Sequence, residues 1–169
     1  RLVAFDAAPA MPEVAAERAQ ALGQSNCTFA VANNGSLPVD TAVADLVIAG
    51  WTVGYLVSWA VGSWQDEVHA VVNEMRRVAA RGAKLVIIET LGTGFAEPTP
   101  PAKLQPYFAR LEGAGFTRTA IRTDYRFVSP EEAVALTRFF FGDPLADNVA
   151  ESGTAEVPEW TGIWTLQLP

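Results

Sequence analysis

The sequence predicts an α/β fold: a mostly parallel sheet covered by helices, with an antiparallel pair of strands near its C-terminal end. Three observations carry that expectation. Short aliphatic runs alternate with segments of helical periodicity, the pattern that crossover connections turn into a parallel sheet. The stretch 73–94, NEMRRVAARGAKLVIIETLGTG, reads as helix, tight turn, buried strand and glycine loop. The last third then offers two strand-like runs that can pair antiparallel, residues 116–128 and 160–168.

Taken in order, residues 2–5 form an apolar strand that ends at Asp6. Residues 11–22 read as a helix with Pro12 in its first turn, where the missing N–H costs nothing, and Gly23 just past its end. A second strand over 28–32 leads into the turn-rich Asn33, Asn34, Gly35 and Ser36, and a third covers 44–49. Val68, Val71, Val72, Met75, Val78 and Ala79 then recur at the spacing of one helical face, with Arg76, Arg77 and Arg81 turned outward. Gly82, which takes a positive φ without a Cβ clash, is expected to end that helix. Residues 85–88 are apolar on both faces and predict a strand covered on both sides, ending at Glu89. Thr90, Gly92, Thr93 and Gly94 are expected to form a flexible loop beyond it, at the strand end where open α/β sheets place ligands.

Pro98, Pro100 and Pro101 lead stiffly into a helix over 102–112, closed by Gly113 and Gly115. In 116–128, Arg118, Arg122, Asp124 and Arg126 alternate with Ile121, Tyr125 and Phe127, which suits a half-exposed strand near a sheet edge. Ser129, Pro130 and Glu132 supply a capping box with proline at the first helical position, and the helix should run to Phe141.

A chain of 169 residues, 50% of them hydrophobic, can bury one sizeable core, and a single domain is expected. The net charge of −7, without a basic block, disfavours nucleic acid and anionic membranes as partners and leaves a small molecule. No apolar run approaches the ~20 residues of a membrane-spanning helix, and no signal segment opens the chain, so a soluble, cytoplasmic protein is expected. Cys27, the single cysteine, reads as a small buried hydrophobe. The chain starts at Arg1 with a strand immediately behind it, and the expectation is a piece of a longer protein.

The order of these elements and the residues at their ends resemble a class I S-adenosylmethionine-dependent methyltransferase, of the broad group related to ubiquinone-biosynthesis methyltransferases. FDAAPAM resembles the family's second strand with its acidic tip, ANNGSLPV the segment before the third loop, ADLVIAGW the fourth strand, and NEMRRVAARGAKLVIIE the helix, glycine turn and fifth strand. The resemblance implies a Rossmann-like three-layer sandwich that lacks the family's first strand and glycine-rich loop. It implies S-adenosylmethionine as cofactor, held by Asp6, Ala7, Met11, Asn33, Asn34 and Gly50, and a small-molecule methyl acceptor. Asp6 would accept from the ribose hydroxyls, though an aspartate there is also a good helix cap. Met11 would lie against the adenine or serve as core. Asn33 stands where the family often has aspartate, and its carbonyl would still accept from the adenine amino group.

Methyl transfer needs chiefly proximity and alignment, so few signature residues are expected. Trp51, Tyr55 and Trp59, spaced by four, would share one face of a helix and wall an acceptor, or pack as core. His69 reads as a solvated surface residue; Glu89 and Tyr125 are possible bases, set against a solvated strand-end carboxylate and a packed aromatic. No catalytic base is assigned. A nicotinamide-dependent reductase would also read a ribose with an acidic strand tip, but no Tyr-x-x-x-Lys pair exists, the only lysines being Lys84 and Lys103. A degenerate methyltransferase-like domain that only binds a partner is the alternative outside enzymology.

Overall fold

The computed structural model describes residues 1–60 and 62–169. β1 (Leu2–Asp6), α1 (Ala10–Ala21) and β2 (Cys27–Val31) make the first strand, helix and strand, and β1 pairs with β2 in parallel from Leu2↔Cys27 to Asp6↔Val31. β3 (Ala44–Gly50), the single turn α2 (Leu56–Trp59), α3 (Trp64–Val78) and β4 (Ala79–Thr93) follow. A 3-10 turn over Ala102–Leu104 opens α4 (Gln105–Gly113). Then come β5 (Thr117–Arg122), β6 (Tyr125–Arg126), α5 (Pro130–Phe141), α6 (Asp143–Ser152), β7 (Glu156–Val157) and β8 (Glu159–Gln167). The sheets are β1-β2, β3-β4-β8-β5 and β6-β7. The bonds Val43 N to Val78 O and Trp51 N to Ile88 O advance together along β3 and β4, as in a parallel pair. Gly82 N to Pro169 O and Gly94 N to Pro158 O run in opposite senses, so β8 is antiparallel to β4; β5 is antiparallel to β8 at the edge. The α/β order and the antiparallel C-terminal strands are those expected, with β5 at an edge; within this sheet β3 and β4 are the parallel pair. No helix among the described residues is long and apolar enough to cross a membrane.

The chain divides into two compact units, Arg1–Val47 with Ser58–Leu85 and Gln167–Pro169, and Ile48–Val57 with Val86–Leu166. In the first, α3 buries Val68, Val71, Val72, Met75 and Val78, the stripe that its spacing predicts. Ser63 caps it, its Oγ accepting from Asp66 N. In the second, Ile87 and Leu91 of β4, Tyr107, Phe108 and Leu111 of α4, and Trp164 of β8 are buried, with Phe108 stacked on Trp164 at 4.5 Å between centroids. Ala133 of α5, Val149 of α6 and Val157 of β7 form a smaller core nearby in sequence. The capping box forms with one change: Ser129 Oγ accepts from Glu132 N, but Glu132 Oε2 accepts from Val128 N.

Several local expectations are corrected. Gly82 does not end α3, which stops at Val78 and passes directly into β4. The last helical carbonyls, Arg77 O and Val78 O, are taken by Ala42 N and Val43 N, so no glycine-ended loop is needed. Gly82 keeps its positive φ of 75° inside the strand, bonded to Pro169 O, while Arg81 belongs to the strand. Arg77 is not an outward, solvated residue: its guanidinium grips Glu74 and the carbonyls of Leu37 and Val39.

β4 also does not end at Glu89. It continues to Thr93 because Thr90 and Thr93 hydroxyls donate to the buried Glu159 and Gly94 N to Pro158 O, so the expected flexible ligand loop is strand instead. Residues 85–91 alternate buried and half-buried rather than lying covered on both faces. Residues 116–128 break into β5 and β6, with Arg122 Nε on Asp124 at the break and Asp124 in turn accepting from Glu159 N. Cys27 is half-buried, its thiol 3.4 Å from Asn26 Oδ1.

Candidate functional site

Each unit carries its own set of polar and aromatic groups. In the first, β1 ends at Asp6, whose Oδ1 accepts from Ala8 N at 2.8 Å and so closes the turn into α1. Asp6 does not cap the helix: the N-cap of α1 is Pro9 and has no side-chain bond. Asp6 stands on the wall of a cleft of ≈ 150 Å³ shared with Ala4, Phe5, Met11, Pro12, Ala15 and Phe29. The acidic residue and the methionine singled out from the sequence are thus brought together over an apolar floor. Met11 is 51% exposed and is not core. Ala7 lies exposed in the turn beyond Asp6.

Asn33 begins a tight turn in which Ser36 N bonds Asn33 O at 3.0 Å and Gly35 N bonds Asn33 Oδ1 at 2.8 Å. One lone pair of the side-chain carbonyl expected to face an adenine amino group is therefore already engaged. Asn34 is half-buried beside it. The segment after this turn is stapled by a bidentate ion pair. Arg77 Nε and NH2 donate to Glu74 at 2.7 and 2.6 Å, Glu74 Oε1 accepts Leu37 N at 2.6 Å, and Arg77 NH1 and NH2 donate to Val39 O at 2.8 Å and Leu37 O at 3.1 Å. The hydrogen bonds from Arg77 hold the Glu74 carboxyl down at about 2.

In the second unit, β3 ends at Gly50, which borders open space, and the chain turns sharply. Trp51 takes a left-handed φ of 47° with its N–H on Ile88 O at 2.8 Å. The helical face imagined for Trp51, Tyr55 and Trp59 does not form: helix begins only at Leu56, because Gly54 N is captured by a side chain of β4. All three rings are more than half exposed, so none is core.

The capturing side chain is Glu89, 4% exposed. Its Oε1 accepts Gly54 N at 2.7 Å and the Tyr107 hydroxyl at 3.2 Å. Burial pushes this carboxyl up to about 7, against the lowering effect of the bonds from Gly54, Tyr107 and Val53. The solvated strand-end carboxylate expected here is absent because Glu89 shares the inward parity of Leu85, Ile87 and Leu91. That parity was visible in the sequence and is the signal by which the site could have been found. Tyr125 is 40% exposed, with its ring 6.1 Å from Phe141 and 6.2 Å from Phe127, and its hydroxyl is shifted upward by burial and by the charges of Glu159 and Tyr55. His69 is exposed, as expected.

The family profile described as "Methyltransferase domain" matches residues 1–87, just over half of the chain and the segment that carries Asp6, Ala7, Met11, Asn33, Asn34, Gly50, Trp51 and Tyr55. The chain belongs to the methyltransferase domain family. Curated proteins give no match. Among solved structures, this methyltransferase domain is similar to a candidate methyltransferase of Bacillus halodurans at 13% identity and a TM-score of 0.59, covering 100% of this chain and 84% of the other. It is also similar to a SAM-dependent methyltransferase of Aquifex aeolicus at 17% identity and a TM-score of 0.56, over 96% and 66% of the two chains. A geranyl diphosphate methyltransferase in complex with SAM aligns at 13% identity and a TM-score of 0.50, over 96% and 67%. At these identities the likeness establishes the fold of the methyltransferase domain, a Rossmann-like α/β arrangement with an antiparallel C-terminal part.

Proposed function

We propose that the domain transfers a methyl group from S-adenosylmethionine to a small-molecule acceptor. The observation that carries this reading is the place of Asp6, at the carboxyl end of β1, inside the family match, on one cleft with Met11 and Phe29. One Asp6 oxygen holds the turn through Ala8 N; ribose hydroxyls would donate to the other. Met11 and the apolar wall suit the adenine face, so the residues present fit the adenosine end of the cofactor. With Asn33 Oδ1 on Gly35 N, the Asn33 amide nitrogen is the group left to meet a ring nitrogen, beside Asn34. Ala7 is exposed in the first unit, and Gly50 borders open space in the second. The bound cofactor supplies an electrophilic methyl group on a sulfonium. The chain's own part is alignment: Trp51 and Tyr55 present apolar rings to an uncharged acceptor and exclude water from it.

Asp6, Met11 and Asn33 all serve the adenosine end, and we infer that a segment preceding Arg1 holds the methionine end. β1-β2 pairs as a sheet of its own, and Leu2, Val3 and Leu46 are about half exposed; both points support a missing strand and also favour the second reading, a domain that only binds a partner. Calorimetry with S-adenosylhomocysteine separates them, on the protein extended upstream through its natural reading frame. Saturable binding is expected, with a loss on the order of 1.5 to 3 kcal/mol in a folded Asp6→Ala variant. Unchanged affinity in that variant overturns the ribose role, and no binding by the extended parent overturns the enzyme. Tight binding by residues 1–169 alone overturns the upstream segment.

A further inference from the structure

We propose that Glu89 is the positioning residue of the turn that follows β3: its carboxylate holds the backbone at Val53 and Gly54, thereby aims Trp51 and Tyr55, and holds the turn less tightly when it takes up a proton. This rests on the acceptor role proposed above for those two rings. Two of the bonds that hold the turn carry this reading. One is a neutral backbone bond, Trp51 N to Ile88 O at 2.8 Å, which no pH change touches. The other is Gly54 N to Glu89 Oε1 at 2.7 Å, a bond to a carboxylate and so dependent on its charge.

The fit at the second point is close. A Cβ on Gly54 would lie 2.8 Å from Glu89 Oε2 and 3.1 Å from Cδ, so only a glycine lets the backbone come this near. Between the two points the chain must pass through the left-handed conformation of Trp51, which leaves that ring and Tyr55 exposed. Glu89 itself is too buried to touch an acceptor, and its influence passes through the backbone it holds. The groups that bear on its titration are the Tyr107 hydroxyl from α4 and the N–H groups of Gly54 and Val53 from the turn. Tyr107 stays protonated throughout, since burial and Glu89 both push it upward. Burial leaves the carboxyl titrating at about 7, so charged and neutral forms exchange near neutrality.

The test is nuclear magnetic resonance on the 15N-labelled chain between about pH 5 and about pH 9, a range that brackets the transition. The Gly54 amide and the Trp51 backbone and indole resonances are expected to move together on one single-proton sigmoid centred at about 7. Glu89→Gln should abolish that sigmoid. Tyr107→Phe, which removes a donor that favours the carboxylate, should move its midpoint upward, and it keeps the idea testable where the glutamine variant fails to fold. A Gly54 trace that is flat, a sigmoid that survives in Glu89→Gln, or a Trp51 trace that ignores the Gly54 transition would each overturn the proposal. None of these readouts involves methyl transfer, so failure to bind S-adenosylhomocysteine leaves the result standing, and a flat trace leaves the methyl-transfer reading standing.

Discussion

Removing the Arg77 guanidinium should loosen the segment that follows Asn33 and lower the melting temperature measurably. Arg77 makes a bidentate bond to Glu74 and reaches Leu37 O, Val39 O and Thr41 Oγ1. Arg77→Ala leaves a carboxylate and two carbonyls without these donors. A fully buried pair broken in this way costs about 3 to 5 kcal/mol. Here the Arg77 side chain is 35% exposed and Glu74 11%, so water replaces part of what is lost and the cost falls well below that of a buried pair. For a domain of this length each kcal/mol moves the transition by about 2 to 4 °C, so a drop of a few degrees is expected in calorimetry. Arg77→Lys keeps the charge but not the fork and should fall between. Hydrogen exchange at Leu37 N, which donates to Glu74, should speed up in the alanine variant. A melting temperature within about 1 °C of the parent and unchanged Leu37 exchange would refute the claim that this pair staples the segment.

The remaining expectations concern the second unit and the acid range. Gly54→Ala forces the Glu89 carboxylate aside and should cost about 1 to 3 kcal/mol in urea denaturation; a loss below the error of the fit argues against the close approach. Glu89 is raised from 4.5 to about 7 on folding, so its contribution to stability is complete below pH 4.5 and is lost as pH rises through about 7, a change of about 3 kcal/mol. Glu89→Gln should flatten that slope, and a parent whose stability rises steadily over the same window contradicts it. Glu74 acts in the opposite sense: lowered to about 2, it contributes fully above pH 4.5 and its share disappears as pH falls to about 2, so Glu74→Gln should make acid unfolding less steep there. Gly162→Ala drives a Cβ into the Trp164 ring and to 3.1 Å from Leu91 Cγ, and should cost about 1 to 3 kcal/mol, read as a lower denaturation midpoint.

What could be read from the chain were features written in local periodicity. The α3 stripe, the Ser129 cap, the strands around Asp6 and Ala49, and the antiparallel end all depend on side-chain spacing or on short-range capping. What could not were places where a distant backbone supplies the hydrogen bonds. Gly82 carries the positive φ that suggested a helix end, yet the end is set by residues 42 and 43 arriving at the carbonyls of Arg77 and Val78. Trp51, Tyr55 and Trp59 have helical spacing, but the chain between them is claimed by Glu89, thirty-five positions beyond Gly54. α6 escaped notice because its start is Gly142 and Pro144 rather than a side-chain cap, with Arg138 of α5 pairing with Asp143 and Asp147. Of the candidate site, the cleft around Asp6 and Met11 was legible because strand tip and helix start lie side by side in sequence; the buried pair of Glu89 and Tyr107 was legible only in its parity.

The backbone at Trp51 has a consequence for engineering. A bulky residue held in the left-handed region costs of order 1 to 3 kcal/mol, which a glycine at the same place would recover. Trp51→Gly is therefore the substitution that a search for thermal robustness should select first at this turn, and it is also the one that deletes an exposed indole. Selection for heat resistance and selection for turnover should thus diverge at position 51, with variants from the first screen dropping out of the second.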